Sequence, residues 1–194
     1  MMNKPSGMNN FLARFQLQMP LAGCPPSGGR HAAVLVPIVN RPQPGLLLTR
    51  RATSLRQHAG QVAFPGGMQD DSDAGLLDTA LREAEEEIAL MRHQVRIIGC
   101  LPAVSSASGF LVTPFLAIIP PDLPLHASQQ EVDAIFEIPL QQALDTARYG
   151  ALTVHHRGQL RQVWCSYFDQ HLIWGMTAGI IRQLSLQVSA TRDF

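Results

Sequence analysis

Between residues 64 and 90 the chain reads FPGGMQDDSDAGLLDTALREAEEEIAL, a pair of glycines leading into a segment with eight Asp or Glu residues and one Arg. Leu77, Ala80, Leu81, Ala84 and Ile88 recur at the spacing of one helix face, about 100° per residue, and predict a helix. On that helix Glu83, Glu86 and Glu87 stand at i, i+3 and i+4, so the carboxylates share one side and repel one another. Ser72 or Asp73 would serve as the helix cap. Two readings remain open at this point. The face is simply solvated, with Arg82 paired to Glu86, or it is a seat for a hard divalent cation, which takes carboxylate oxygens and leaves room for water and phosphate.

The charge pattern bears on that choice. Residues 1–69 carry seven basic side chains, Lys4, Arg14, Arg30, Arg41, Arg50, Arg51 and Arg56, and no acid. Residues 70–90 hold eight acids against Arg82, and the remainder balances at seven of each sign. A basic segment running into an acidic helix suits a ligand that carries both phosphate and metal. Lys4 is the single lysine, which argues against Schiff-base chemistry and a P-loop lysine.

At 194 residues the chain is long enough for one domain with a full core. Charged residues make up 15%, below the usual ~25%, which would suit an oligomer or a largely covered surface. The apolar runs are too short to span a bilayer and no secretory leader is evident, so a soluble cytoplasmic protein is expected. Cys24, Cys100 and Cys165 are widely spaced and odd in number, which favours buried free thiols over a disulfide framework or zinc knuckle. The neighbouring His155 and His156 alternate across a strand and cannot both face one ion.

Residues 1–28 are read as an N-terminal arm with a short helical candidate, FLARFQLQ, and residues 29–194 as a single domain. Strands are expected over 32–40 and 46–51 as a hairpin, over 94–104, over 110–120 with an edge or bulge at Pro114, and over 131–140 leading into a short helix. ALTVHH and RQVWCSYF form another hairpin, and a helix closes the chain from about 175 to 188. Antiparallel strands with interspersed helices point to an α+β or mixed α/β sandwich.

The segment from Gly67 to Leu90 resembles the Nudix box, whose pattern is Gly, five residues, Glu, seven residues, Arg-Glu-apolar-any-Glu-Glu-any-Gly-apolar. Gly67, Arg82, Glu83, Ala84, Glu86, Glu87 and Leu90 match it. Asp73 stands where the first Glu belongs, one residue too far from Arg82, and Ala89 replaces the last Gly. Upstream, LLTRRATSLRQHAGQVAFPGG is similar to the motif preceding the box in coenzyme A pyrophosphatase-type Nudix hydrolases, with Leu47, Leu48, Thr49, Arg51, Ala52, Arg56, Gly60, Phe64, Pro65, Gly66 and Gly67 in register. SGFLVTPF, EVDAIFEIPL and IWGMTAG also look like that subfamily.

The resemblance implies an α/β/α sandwich with a mixed sheet and a metal-dependent hydrolase. It would cleave coenzyme A, its thioesters or its disulfide into 3′,5′-ADP and 4′-phosphopantetheine or its derivative. Glu83, Glu86 and Glu87 would hold Mg2+ or Mn2+, and Arg82 would pair with a glutamate and orient it. Arg51, Arg56, Gly60, Phe64, Gly66 and Gly67 would bind substrate, with the arginines suited to phosphate. Glu83, Glu131 and Asp133 are candidates for the general base, Asp73 stays outside the site, and His58 is a marginal substrate contact. The partner expected is a small molecule, with no nucleic acid and no membrane, and self-association stays open. The alternatives are a Nudix hydrolase of another nucleoside diphosphate derivative and a nucleotide-binding protein on the same fold without catalysis.

Overall fold

The computed structural model describes residues 7–17, 29–156 and 158–189. Cys24, Lys4 and most of the PPSGG segment lie outside them. In chain order the elements are α1 (Gly7–Leu17), β1 (Arg30–Val39), β2 (Gly45–Arg51), β3 (Val62–Ala63), β4 (Gly66–Met68), α2 (Leu76–Ile88), β5 (Arg96–Cys100), β6 (Val104–Ser105), β7 (Phe110–Ile119), β8 (Val132–Pro139), α3 (Leu140–Ala143), β9 (Gly150–His156), β10 (Gln159–Phe168), β11 (His171–Trp174) and α4 (Gly175–Ser189).

The central strand explains the layering. Along β1 the side chains alternate, and both sets are buried. Ala33, Leu35 and Val39 face one core with Leu47, Ala117, Ile119 and the apolar stripe of α2, Ala80, Leu81, Ala84 and Ile88. Ala32, Val34, Val36 and Ile38 face the other core, shared with Leu46, Leu48, Leu116, Ile118 and residues of α1, α3 and α4. A strand buried on both faces must have helices or sheet on each side, and the result is the expected α/β/α sandwich. β1 pairs in parallel with β7 over its whole length, from Arg30 opposite Phe110 to Val39 opposite Ile119, and antiparallel with β2 and β4, so the sheet is mixed. A separate antiparallel sheet has the order β11-β10-β9.

The hairpin of β1 and β2 forms as expected, and so does that of β9 and β10. Pro114 is not on an edge, because β7 lies between β1 and the β5/β6 pair. The break falls on the neighbour instead: β5 gives way to β6 opposite Pro114, whose carbonyl accepts from the Leu101 N–H at 2.9 Å. In α1, Met8, Phe11 and Phe15 lie on one face and are buried, with Phe15 fully enclosed. Thr177 of α4 donates to the Val62 carbonyl at 3.0 Å, tying the last helix to β3. Cys100 and Cys165 are free thiols, half-buried rather than fully enclosed. Among the described residues no helix is long and apolar enough to cross a membrane.

The ends of α2 differ from expectation in two respects. Neither Ser72 nor Asp73 caps it, since Gly75 holds the N-cap position without a side-chain bond and the Asp73 carboxylate is engaged elsewhere. At the other end Ala89 is left-handed, with φ 56, and its N–H reaches the carbonyls of the last turn. An alanine there strains its Cβ against the carbonyl, where glycine would not. Ala89→Gly is therefore expected to stabilise the fold by about 1 kcal/mol, read as a higher urea midpoint at unchanged slope; an unchanged or lower midpoint would contradict the strain.

Candidate active site

β4, the loop 69–75 and the end of β2 converge on the second half of α2. β4 runs beside β1, with Gly66 opposite Val34 and Gly67 opposite Ala33, and Leu35 donates to the Pro65 carbonyl at 2.8 Å. Gly66 has φ +154, and a Cβ there would run into the Ala33 carbonyl and Val34. A Cβ on Gly67 would land on the Glu83 carboxylate. The pair is thus required for close approach on both sides: backbone against the sheet, and a glutamate against the backbone.

Arg82 is the knot of the site. Its Nε donates to Asp73 Oδ1 at 2.9 Å and Nη2 to Asp73 Oδ2 at 3.1 Å, a bidentate grip. Nη1 donates to Glu83 Oε1 at 2.9 Å and to Glu86 Oε2 at 3.0 Å, and Nη2 also reaches the Met68 carbonyl at 3.3 Å. All the N–H groups of the guanidinium are thereby used. Arg82 does pair with glutamates, but its strongest partner is Asp73, which sequence reasoning left out. Asp73 Oδ2 also accepts from Thr79 Oγ1 at 2.8 Å and from the Asp70 N–H at 2.9 Å. The Arg82 hydrogen bonds hold the Asp73 carboxyl well below the usual carboxylate range. The signal available in the sequence was a carboxylate at the first acidic position of the box, with a polar loop able to absorb one more residue.

Glu87 is different. Its side chain is 3% exposed, and Arg51 Nη1 stands 3.7 Å from Oε1, an ion pair beyond hydrogen-bonding distance. Burial pushes the Glu87 carboxyl up to about 8, against the pull of Arg51 and with the push of Glu83 and Glu131. Glu83 is also raised, chiefly by burial and against Arg82. Glu86 is the outlying member, its side chain 55% exposed.

Arg51 ends β2, where the β2–β8 register shifts between Arg50 and Arg51. Its N–H donates to Gln61 at 2.9 Å and its carbonyl accepts from Gly60 at 3.1 Å, which closes the loop between them. Gly60, at φ +70, makes that closure and so supports Arg51 from behind. Arg56 is exposed on the same loop, and His58 is within 2.9 Å of Gln61 Oε1. Phe64 is not at the surface: it is 4% exposed and packs in the core on the side of the sheet away from α2. It lies between β3 and β4, directly before the glycines. Asp133 accepts from the Thr53 N–H at 3.1 Å through Oδ2, which ties it to the loop. Glu131 stands close enough for its charge to be felt by both Glu83 and Glu87. The Ala52 N–H donates to its carbonyl at 2.8 Å, and Ser128, to which it bonds, donates to the Glu87 carbonyl at 2.9 Å.

Among the described residues no group of three His, Cys, Asp or Glu side chains is gathered around one point as a metal cage. The donor chemistry nevertheless fits a cation. Among the described residues the cationic side chains paired with Asp73, Glu83, Glu86 and Glu87 are Arg82 and Arg51, and Glu87, which also takes a backbone hydrogen bond from Gly66, is buried with an incomplete counter-charge. A buried carboxylate in that state is stabilised by an added positive ion.

A model of the NUDIX domain matches residues 29–167. The chain belongs to the Nudix family. Two proteins described as uncharacterized Nudix hydrolase NudL are similar to this Nudix protein over nearly their whole length. That of Cronobacter sakazakii is 56% identical over 188 residues, covering 97% of this chain and 98% of that protein. That of Shigella flexneri is 56% identical over 184 residues, covering 95% and 96%. Among solved structures, a C. elegans Ap4A hydrolase binary complex aligns with a TM-score of 0.51 at 23% identity over 61% of this chain and 86% of that one. A Nudix hydrolase from M. smegmatis, RenU, aligns at 0.50 with 20% identity over 62% and 84%. At such identities these structures speak for the fold.

Two outcomes follow from the charges. The raised folded-state pKa of Glu87 means that the native protein holds an extra proton between 4.5 and about 8. That contribution to stability is complete below the lower value and lost as pH rises through the upper one. Without metal, the stability of the wild type relative to Glu87→Gln should fall across this window in urea titrations; a pH-independent difference would contradict it. Asp73→Ala, which leaves Arg82 without its bidentate partner, should cost about 3 kcal/mol in the same assay.

Proposed function

We propose that this Nudix protein hydrolyses the pyrophosphate of coenzyme A and of its thioesters or disulfide, giving 3′,5′-ADP and 4′-phosphopantetheine or its derivative. The observation that carries the reading is the placement of Arg51 beside Glu87, 3.7 Å away, at the end of a loop closed by Gly60. A guanidinium with spare donors thus lies next to a carboxylate that lacks a full counter-charge, and together they suit a phosphate and its cation.

Glu83 and Glu87, with Glu86 at the rim, would hold the divalent ion, Mg2+ or Mn2+. Such an ion supplies neutralisation of the pyrophosphate oxygens and acidifies the attacking water. The residues of the chain do the rest. Arg82 fixes Glu83 and Glu86 in place and locks the preceding loop through Asp73. Gly66 and Gly67 keep β4 close enough for Glu83 to lie against its backbone. Arg51 grips a phosphate oxygen of the cleaved bond, and Arg56, exposed on the loop, reaches the 3′-phosphate that distinguishes coenzyme A from many other nucleoside diphosphates. Glu83 or Glu131 takes the proton from water, ahead of Asp133, one of whose oxygens accepts from the Thr53 N–H.

Incubation with coenzyme A, NADH, ADP-ribose and a nucleoside triphosphate in Mg2+ or Mn2+, with products resolved, tests the substrate. Coenzyme A should be turned over with the highest kcat/KM; preference for one of the others would favour the alternative Nudix reading, and no turnover of any would favour a binding protein. Glu83→Gln and Glu87→Gln should each lower kcat by about 100-fold or more. Arg56→Ala should raise KM for coenzyme A more than for its 3′-dephosphorylated analogue, and equal effects would remove Arg56 from the 3′-phosphate.

A further inference from the structure

The two arginines of the site are bonded in opposite ways. Arg82 has an acceptor for every N–H and contacts three carboxylates between 2.9 and 3.1 Å, so it is fixed. Arg51 faces one carboxylate at 3.7 Å, and its Nε is buried without any hydrogen-bond partner. A buried donor left unmade is costly, and a carboxylate 3% exposed with its counter-charge beyond bonding distance is only partly compensated. The backbone of Arg51 is held by Gln61 and Gly60, so only the side chain is free to exchange partners.

We propose that the Arg51 guanidinium is the resident counter-ion of the ionised Glu87 carboxylate in the metal-free protein and is displaced when a divalent cation takes its place, turning its donors toward the phosphate of the substrate. The inference rests on the metal-dependent reading above and adds the coupling between its two ligands. A cation that reaches Glu83 and Glu87 supplies the charge that Arg51 supplied, and like-charge repulsion then favours a guanidinium pointing away from it. An anion arriving at Arg51 completes the exchange by satisfying the donors that the metal-free state leaves open. Cation and phosphate therefore assist each other's binding, and by linkage each raises the affinity of the other by the same factor. Phosphate alone meets an arginine still engaged with Glu87.

Mg2+ titration of thermal unfolding, without substrate, tests the exchange. The comparison of wild type with Arg51→Leu is run at about pH 9, above the raised Glu87 value of about 8, so that the carboxylate is charged in the folded protein. In EDTA the variant should melt below the wild type, because Glu87 has lost its counter-charge. Saturating Mg2+ should close that gap, and the Mg2+ midpoint of the variant should fall by about fivefold or more, since no resident cation has to be displaced. A gap that persists in Mg2+, or a midpoint that rises, would overturn the proposal. If Arg51→Leu fails to fold, the wild type alone decides by NMR of its arginine Nε–H groups. On adding Mg2+ the Arg51 signal should shift while that of Arg82 stays. Shifts of the Glu83 and Glu87 amides with an unmoved Arg51 signal would overturn the exchange and leave the metal site intact. Unmoved Glu83 and Glu87 amides would overturn both.

Discussion

The site depends on one guanidinium shared among carboxylates. Arg82 joins Asp73 of the loop, Glu83 and Glu86 of the helix and the Met68 carbonyl of β4, so the three segments that make up the site are held by a single side chain. A lysine has three donors and no planar fork, and could not hold the same acceptors in the same plane. The arrangement has a consequence for the rest of the helix. With Arg82 fully occupied, Glu87 must find its positive charge elsewhere, and what it finds in the protein is a distant arginine from the end of β2. The electrostatic incompleteness of Glu87 is therefore produced by the same contacts that make its neighbours rigid.

The sheet brings these groups together. β1 is buried on both faces, and it carries β4 on one flank through the two glycines while α2 packs on its outer core. β2 and β8 run side by side until the register shift at Arg50 and Arg51, where Asp133 turns to hold the Thr53 N–H. That shift places Arg51 at the point where α2 presents Glu87. The segment leading into β8 is in turn tied to the end of α2, with Ser128 and His126 donating to the Glu87 and Ile88 carbonyls at 2.9 and 3.1 Å. Arg51 and the glutamates of α2 thus sit on different elements fixed by backbone hydrogen bonds, which is how a site keeps its geometry.

Most of this was legible wherever a side-chain period or a motif reported on backbone placement. The apolar run of β1 marked a strand and the stripe of α2 its packing face, while Arg82, Glu83, Glu86 and Glu87 shared a helix side by spacing and were singled out by their resemblance to the Nudix box. What was hidden depended on contacts between segments distant in sequence or on a backbone angle. Asp73 looked displaced by one residue, yet the loop 70–73 folds on its own side chains and returns the carboxylate to Arg82. Phe64 was named through the motif it belongs to, and only the three-dimensional packing shows it in the core between β3 and β4. That the β8 irregularity ties an Asp133 oxygen to the Thr53 N–H was likewise invisible in the sequence. Ala89 stands where the box has Gly, but alanine is rarely left-handed and so did not mark its positive φ, and β11 is too short for its alternation to stand out from the turn before it.

The central claim is that the incompletely compensated carboxylates of α2 form the cation site beside Arg51. Anomalous diffraction from crystals soaked in Mn2+ without substrate tests it most directly. The account predicts a peak within bonding distance of the Glu83 and Glu87 carboxylates on the β4 side of α2, with Arg82 still gripping Asp73. A peak at another carboxylate cluster, or bound Mn2+ that leaves Glu87 facing Arg51 alone, would contradict it.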